Sequence, residues 1–489
     1  MAKMTTTQNG GKQYEHSGSH AVEFFSKAGS LFTKRKQYYG GETSALVLFR
    51  NVWHSGDHEV AMKLLFWLRD IRSGAGNRSG FRECISWLCE EAPEWVIANV
   101  HLIPKYGRYD DLKSLYVSPQ TGYIATNLWA TEILSENILA AKWSNINKDK
   151  FLLSAIRRVN NIDNRYMLKD IGDIRRLISR IRKDVVEVAM SKKEYSDINY
   201  SHVPSVAMAR YSKAFSSNDA ERFSQYKESL KKAIETGDTS VKINAGAIFP
   251  HDVIRTLKNG DTQIADLQFT SLPNFMEESN FRVMTIADSS GSMGTIVSGE
   301  ICAIDISIGL ALYCSDRLGK DNPFYRKFMQ FCDESKLTDW SDCENISHAM
   351  QKRLFNLAVG STNIAKALNT ILSYGTLFNA TNEQMPNCLL IISDMQFDHG
   401  GINLDISSRT VVEQSLDLWE EAGYTKPIIV YWNTAGNAGA PSKNITENTC
   451  LISGFSPSIL KAVFSNPEHM SPYNVMMEAI KNYEVVIPK

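Results

Sequence analysis

Three stretches far apart in the chain each end in side chains that offer oxygen. FRVMTIAD leads into Asp288-Ser289-Ser290-Gly291-Ser292, a DxSxS pattern. Its alternate residues Asp288, Ser290 and Ser292 can converge on one point while Gly291 lets the backbone turn tightly. GSTNI puts Thr362 just ahead of a helical stretch, and CLLIIS runs into Asp394. Three hydroxyls and two carboxylates form an all-oxygen set, which suits a hard divalent cation such as Mg2+ that keeps several of its waters. The competing reading of DSSGS alone is a Ser-rich turn that caps a helix. Asp398 and His399 read as loop residues or as outer partners of the same site. His54 and His58 stand four apart, but the SGD between them reads as a turn. SGAGN before Arg78 lacks the GK[ST] ending of a phosphate loop and lies between helices, so it reads as a helix-ending turn. Spacing assigns no Ser-His-Asp or Cys-His arrangement, and the expectation is a binding protein, not an enzyme.

A second chemistry-bearing stretch is basic. Residues 150–193 hold 12 Lys and Arg against 5 Asp and Glu. Ile171, Ile174, Ile178, Ile181, Val185 and Val188 recur every three or four positions as one buried helix stripe. Arg157, Arg158, Arg175, Arg176, Arg180, Arg182, Lys183, Lys192 and Lys193 are left as candidate RNA contacts, with Tyr195 and Tyr200 nearby. Guanidinium groups beside aromatic rings can engage phosphates and stack on unpaired bases. The plainer alternative is a solvated helix face whose arginine stems pack over the core.

The elements that must position these residues follow from pattern. The chain has 489 residues, 43% hydrophobic and 22% charged, and a formal net charge of −1. That composition belongs to globular domains and excludes disordered or collagen-like chains. The charge is split: residues 1–270 carry 38 Lys and Arg against 30 Asp and Glu, and residues 271–489 carry 15 against 24. Residues 1–20 are polar and read as a flexible arm. Residues 21–270 read as helices joined by short polar turns, an all-helical HEAT-like repeat solenoid or ring. From 271 to 489 apolar strand-length runs alternate with helices, which predicts a doubly wound parallel α/β sheet. No run reaches the length of a membrane-spanning helix. Eight cysteines without a CxxC pair read as reduced core residues, and the expected location is cytoplasmic.

DSSGS, Thr362 and Asp394, in that order, resemble the metal-ion-dependent adhesion site of the von Willebrand factor A domain over about residues 281–489. The resemblance implies Ser290, Ser292 and Thr362 as inner ligands, Asp288 and Asp394 acting largely through water, and a position left open for a partner's carboxylate. A helical region joined to such a domain resembles the TROVE architecture of the Ro autoantigen family. RDIRSGAGNRSGFRECISWL, PKYGRYDDL, LAAKW and INYSHVPSVAMARYSKAF resemble more closely an uncharacterised relative of that family, found in plants, fungi, bacteria and phages. What these resemblances imply is a non-enzymatic scaffold for small or misfolded RNA with a Mg2+-binding A domain. The alternative is an adaptor without RNA, whose Mg2+ recruits an acidic protein partner.

Overall fold

The computed structural model describes residues 3–7, 9–31, 35–37, 41–163, 166–236, 248–258, 260–276, 281–298, 301–318, 320–332, 335–353, 362–398, 410–437, 439–464 and 470–489. They fall into two compact units, residues 1–80 with 245–482 and residues 81–244 with 483–489.

Besides two further short hairpins, the strands of the first unit are Met4–Thr6 (β1), Lys12–Tyr14 (β2), Val283–Asp288 (β3), Lys327–Phe331 (β4), Ser335–Asp339 (β5), Cys388–Ser393 (β6), Ile428–Asn433 (β7) and Thr449–Ser453 (β8). β3 and β6 are buried at every position. Strands of a parallel sheet covered by helices on both faces read as such unbroken apolar runs. Six strands form one sheet in the order β8-β7-β6-β3-β4-β5. Every neighbouring pair is parallel except β4 with β5. From β3 the chain moves outward to β4 and β5, then returns to β6 on the other side of β3 and continues to β7 and β8. Strand order therefore reverses between β3 and β6, and ligands of open α/β sheets sit at the carboxyl ends of strands at such a reversal. The register, with Ile392 opposite Ala287, brings Asp288 level with Ser393.

FYRKFMQFC predicts a strand over 324–332, and the observed β4 is shorter; the antiparallel edge strand β5 has no apolar run to announce it. The sequence pattern predicts a helix over 346–357, of which Ile346–Arg353 is seen and the rest lies outside the described residues. Helix Ala303–Asp316 is buried from Ala303 to Ser315 because it is covered on two sides. It packs on the sheet and also on helix Pro250–Lys258. A Cβ at Gly309 would stand 2.9 Å from the His251 nitrogen and 3.0 Å from the Pro250 carbonyl carbon, so the crossing needs glycine.

Two expected boundaries are corrected. Residues 1–20 are not a loose arm: β1 and β2 pair, and Gly10 and Tyr14 bridge to Asp398 and Ala440. Residues 21–80 and 245–270 belong with the sheet instead of with the helical unit. Helix His20–Lys27 lies against β8, where Ser453 Oγ donates to Phe25 O (2.6 Å) and accepts from Gly29 N (3.1 Å). Asn77, from SGAGN, is buried and donates to the carbonyls of Ala28 and Leu31, both at 2.8 Å. Phe24, Phe25 and Trp67 need an apolar partner for burial, and the sheet unit supplies it.

The second unit is helical. Pro93 and Pro119 start helices Pro93–Asn99 and Pro119–Leu134, at positions where a missing N–H costs no intrahelical bond. The sequence pattern predicts one helix over 126–146, but the chain divides at Glu136 (φ 60°), and Asn137 caps the next helix, Ile138–Trp143. The helix read over 170–191 also divides, into Ile171–Ile181 and Val186–Lys192, with β-branched Val185 extended at the break. Ile174, Ile178 and Ile181 of the expected stripe are buried. Described helices of this unit range from five residues (Leu102–Tyr106) to seventeen (Ala220–Thr236). Residues 483–489 belong here and not to the sheet: Asn99 brackets Val486 with two backbone hydrogen bonds, at 2.8 and 2.7 Å. All eight cysteines are free. Among the described residues no helix is long and apolar enough to cross a membrane.

Candidate functional site

The five oxygen-bearing residues stand at the carboxyl ends of β3 and β6 and at the start of helix Ile364–Leu377. Asp288, Ser290, Thr362 and Asp394 are buried, and Ser292 is exposed, which gives the set one side open to solvent. Asp288 Oδ1 accepts from Ser290 N (2.9 Å), closing the turn, and Oδ2 accepts from Ser393 Oγ (2.5 Å). Both carboxylate oxygens are thus already held by the protein, which suits a role through water more than direct ligation. Ser290 Oγ and Ser292 Oγ lie 3.1 Å apart. The intervening Ser289 turns the other way, its N (3.0 Å) and Oγ (3.3 Å) both donating to Phe331 O on β4. That alternation is the one DxSxS requires.

Just past β6, Asp394 Oδ1 accepts from Gln396 N (3.1 Å), and Asn437 Nδ2 donates to Asp394 O (2.9 Å). Met395 between them is in the left-handed region (φ 64°), a strained conformation for a residue with a side chain. Burial first, then the charge of Asp394, push the Asp288 carboxyl well above the usual carboxylate range. Two carboxyls buried side by side repel, and a divalent cation would remove the repulsion. Thr434 Oγ1, whose backbone N donates to Ser393 O at 2.9 Å, is buried without a hydrogen-bond partner among the described residues. Among those residues no three His, Cys, Asp or Glu side chains gather to hold a metal. The donor set of hydroxyls and two carboxylates nevertheless fits Mg2+ in its chemistry.

Sequence reasoning missed what completes the rim. Asn9, at the tip of the β1–β2 hairpin, donates from Nδ2 to Thr362 Oγ1 (3.3 Å) and Gln396 O (2.6 Å). No local pattern around Asn9 signals this, because its partners lie more than 350 residues away. Asp398 N donates to Thr362 O (3.0 Å), so Asp398 is tied to the site's edge, while His399 lies outside the described residues. Beside Thr362 a groove of about 640 Å³ follows helix Ile364–Leu377 from Asn363 and Lys366 to Tyr374 and Leu377. His58 stacks on Trp53, rings 4.1 Å apart, as a packing histidine.

The nine basic candidates of the helical unit differ in their partners and exposure. Arg175 donates twice to Asn147 Oδ1 (3.0 and 2.7 Å), Arg176 pairs with Asp173 and Arg180 with Glu136, both at 2.6 Å. Lys192 stands 3.6 Å from Glu194. Arg182 is half-buried, its Nε without a partner among the described residues. Arg157, Lys183 and Lys193 are exposed, and Lys193 ends its helix in the left-handed conformation. Arg158 donates to Asn127 Oδ1 (2.5 Å) and lies 4.5 Å over the ring of Tyr123, which is 52% exposed. Phe151, on the same helix as Arg158, is 69% exposed.

Residues 7–123 and 132–287, more than half of the chain, match the family described as a domain of unknown function, DUF2828. Residues 282–484 match a second, also described as a domain of unknown function, DUF7788. An uncharacterised protein of Acanthamoeba polyphaga mimivirus, L728, is 24% identical over 99% of this chain and 88% of its own length. Among solved structures, the crystal structure of the Deinococcus radiodurans Ro (RSR) protein aligns over 95% of this chain and all of its own. The identity there is 12% and the TM-score 0.36, a likeness that carries no argument about function.

Proposed function

Starting from a chain that belongs to the DUF2828 family, whose description assigns no activity, we propose a non-enzymatic binding scaffold. Its sheet unit holds a Mg2+ ion and, through it, an acidic side chain of a protein partner. One observation carries the reading: Asp288, Ser290, Thr362 and Asp394 are buried together at the reversal of strand order, with Ser292 on the open side. When bound, the cation supplies a positive charge and coordination positions for a carboxylate. Ser290, Ser292 and Thr362 would hold it by their hydroxyls, and Asp288 and Asp394 would act through its waters. A hydrolytic two-metal site needs several clustered carboxylates, and among the described residues the proposed set contains two, Asp288 and Asp394. The test is capture of partners by the purified chain with Mg2+, with EDTA, and with Ser290→Ala/Ser292→Ala. Partners lost in the second and third conditions support the reading; a partner set unchanged by both removes it.

A second reading, RNA bound by the helical unit, is favoured by the Arg158–Tyr123 stack and by Phe151, exposed on the same helix as Arg158. Exposed rings under a guanidinium can stack unpaired bases of any sequence. Phosphate contacts would show as affinity that falls steeply with salt, and affinity for single-stranded RNA that is flat with salt would remove this reading.

A further inference from the structure

We infer that the amino-terminal hairpin is a wall of the metal centre, with Asn9 a positioning residue that holds the Thr362 hydroxyl toward the cation. This rests on the metal reading above.

The hairpin is docked by contacts that leave it little freedom. Tyr14 and Ala440 exchange both backbone hydrogen bonds (2.9 and 2.8 Å), and Tyr14 OH reaches Glu413 at 3.3 Å. These anchor the base of the hairpin independently of its tip. At the tip, Thr7 Oγ1 donates to Phe397 O, and Gly11 N donates to the same carbonyl at 3.1 Å. A Cβ at Gly11 would stand 2.5 Å from Phe397 O and 2.7 Å from Asp398 O, so the approach needs glycine. Residues 397–398, which follow Asp394 so closely, are therefore held from outside by Thr7, Gly10 and Gly11.

Asn9 extends that grip to a proposed ligand. Its Nδ2 joins Thr362 Oγ1, at 3.3 Å, to Gln396 O, at 2.6 Å. Threonine oxygen has two lone pairs and one proton. With one lone pair taken by Asn9, the other is free for a cation, and the rotation of the hydroxyl is fixed before the cation arrives. Outer partners that orient ligands in this way carry much of a metal site's affinity. The hairpin tip thus ties the β6 loop and the start of helix Ile364–Leu377 into one rim.

The experiment is Mn2+ titration, followed by the electron paramagnetic resonance of free Mn2+, with Mg2+ as competitor. The full chain is compared with Asn9→Ala, Thr7→Val, Thr362→Val, Asn9→Ala/Thr362→Val and Asp288→Ala, each first melted in EDTA to show that it folds. Asn9→Ala is expected to weaken Mn2+ binding by about 10-fold, and Thr7→Val to weaken it less. In the Thr362→Val background Asn9→Ala should have no further effect, because removing the shared contact abolishes the coupling. Asn9→Ala binding like the parent chain overturns the inference, as does an equal loss with and without the Thr362 hydroxyl. Failure of the metal reading looks different: the parent chain and Asp288→Ala would then take up Mn2+ alike, and the inference would fall with that reading.

Discussion

The two units hold their chemistry-bearing residues in opposite ways. In the sheet unit, side chains more than 100 residues apart, Asp288 and Ser393, meet at 2.5 Å because strand register brings them level. In the helical unit, of nine candidate cations from a single stretch of chain, Arg175, Arg176 and Arg180 are taken by Asn147, Asp173 and Glu136. Closeness in sequence is not convergence in space. A cluster of like charge tends to find counter-charges, whereas strand ends at a sheet reversal have no alternative to facing one another.

The largest expected effect tests the crowding of carboxyls in the first region. Asp394→Asn should lower Mn2+ affinity about 10- to 100-fold. The same change removes the repulsion that lifts the Asp288 carboxyl, so the metal-free chain should melt higher than the parent. Calorimetry with and without EDTA reads both; a metal-free variant that melts lower would show that Asp394 stabilises the unit by itself.

Next comes the boundary between the regions. Gly309→Val would press a side chain on the Pro250–His251 backbone and should cost the sheet unit about 1–3 kcal/mol. Residue-resolved hydrogen exchange should show weakened protection in helices Pro250–Lys258 and Ala303–Asp316. Weakening confined to residues 81–244 would return helix 250–258 to the helical unit.

A third prediction sharpens the contrast between paired and exposed cations. If single-stranded RNA binds, Tyr123→Ala should cost about 1–3 kcal/mol of affinity, as loss of one stacking platform does. Arg176→Ala and Arg180→Ala, which remove groups already in ion pairs, should cost well under half of that. Equal losses at all three positions, read by fluorescence anisotropy, would mean that overall charge and not the stack governs binding.

The smallest effect is in pH. Burial holds the His251 imidazole below its ordinary value, against the opposing pull of Asp252 and Asp305. The unfolded chain therefore takes up that proton more readily, and the contribution to stability is present above about pH 6.5 and lost as pH falls below it. Melting should drop between about pH 7 and about pH 5.5, and His251→Gln should flatten the drop. An unchanged slope in the variant would assign it to other groups.

Much of the sheet, and the placing of Asp288 and Asp394 at its strand ends, was legible in the sequence for one physical reason. VMTIAD and CLLIIS are mostly apolar runs of strand length, the pattern of strands buried on both faces of a parallel sheet. DxSxS then follows from the pleat and the turn. β1 and β2 were illegible because MTT and KQY carry no apolar alternation; they are held by backbone hydrogen bonds to partners that only the folded chain brings near. The division into units was illegible for the same reason, since the sites that bury Phe24 and Trp67 are made by residues distant in sequence. The pairing of Arg180 with Glu136 across 44 residues likewise leaves no local pattern.

The central claim is that buried strand ends make a cation site from hydroxyls and two carboxylates. Isothermal titration of Mn2+ into the parent chain and into Ser290→Ala/Ser292→Ala tests it most directly. The account predicts one saturable site per chain in the parent, displaced by Mg2+, and none in the variant. Equal uptake by both chains, or no saturable uptake by the parent, would contradict it.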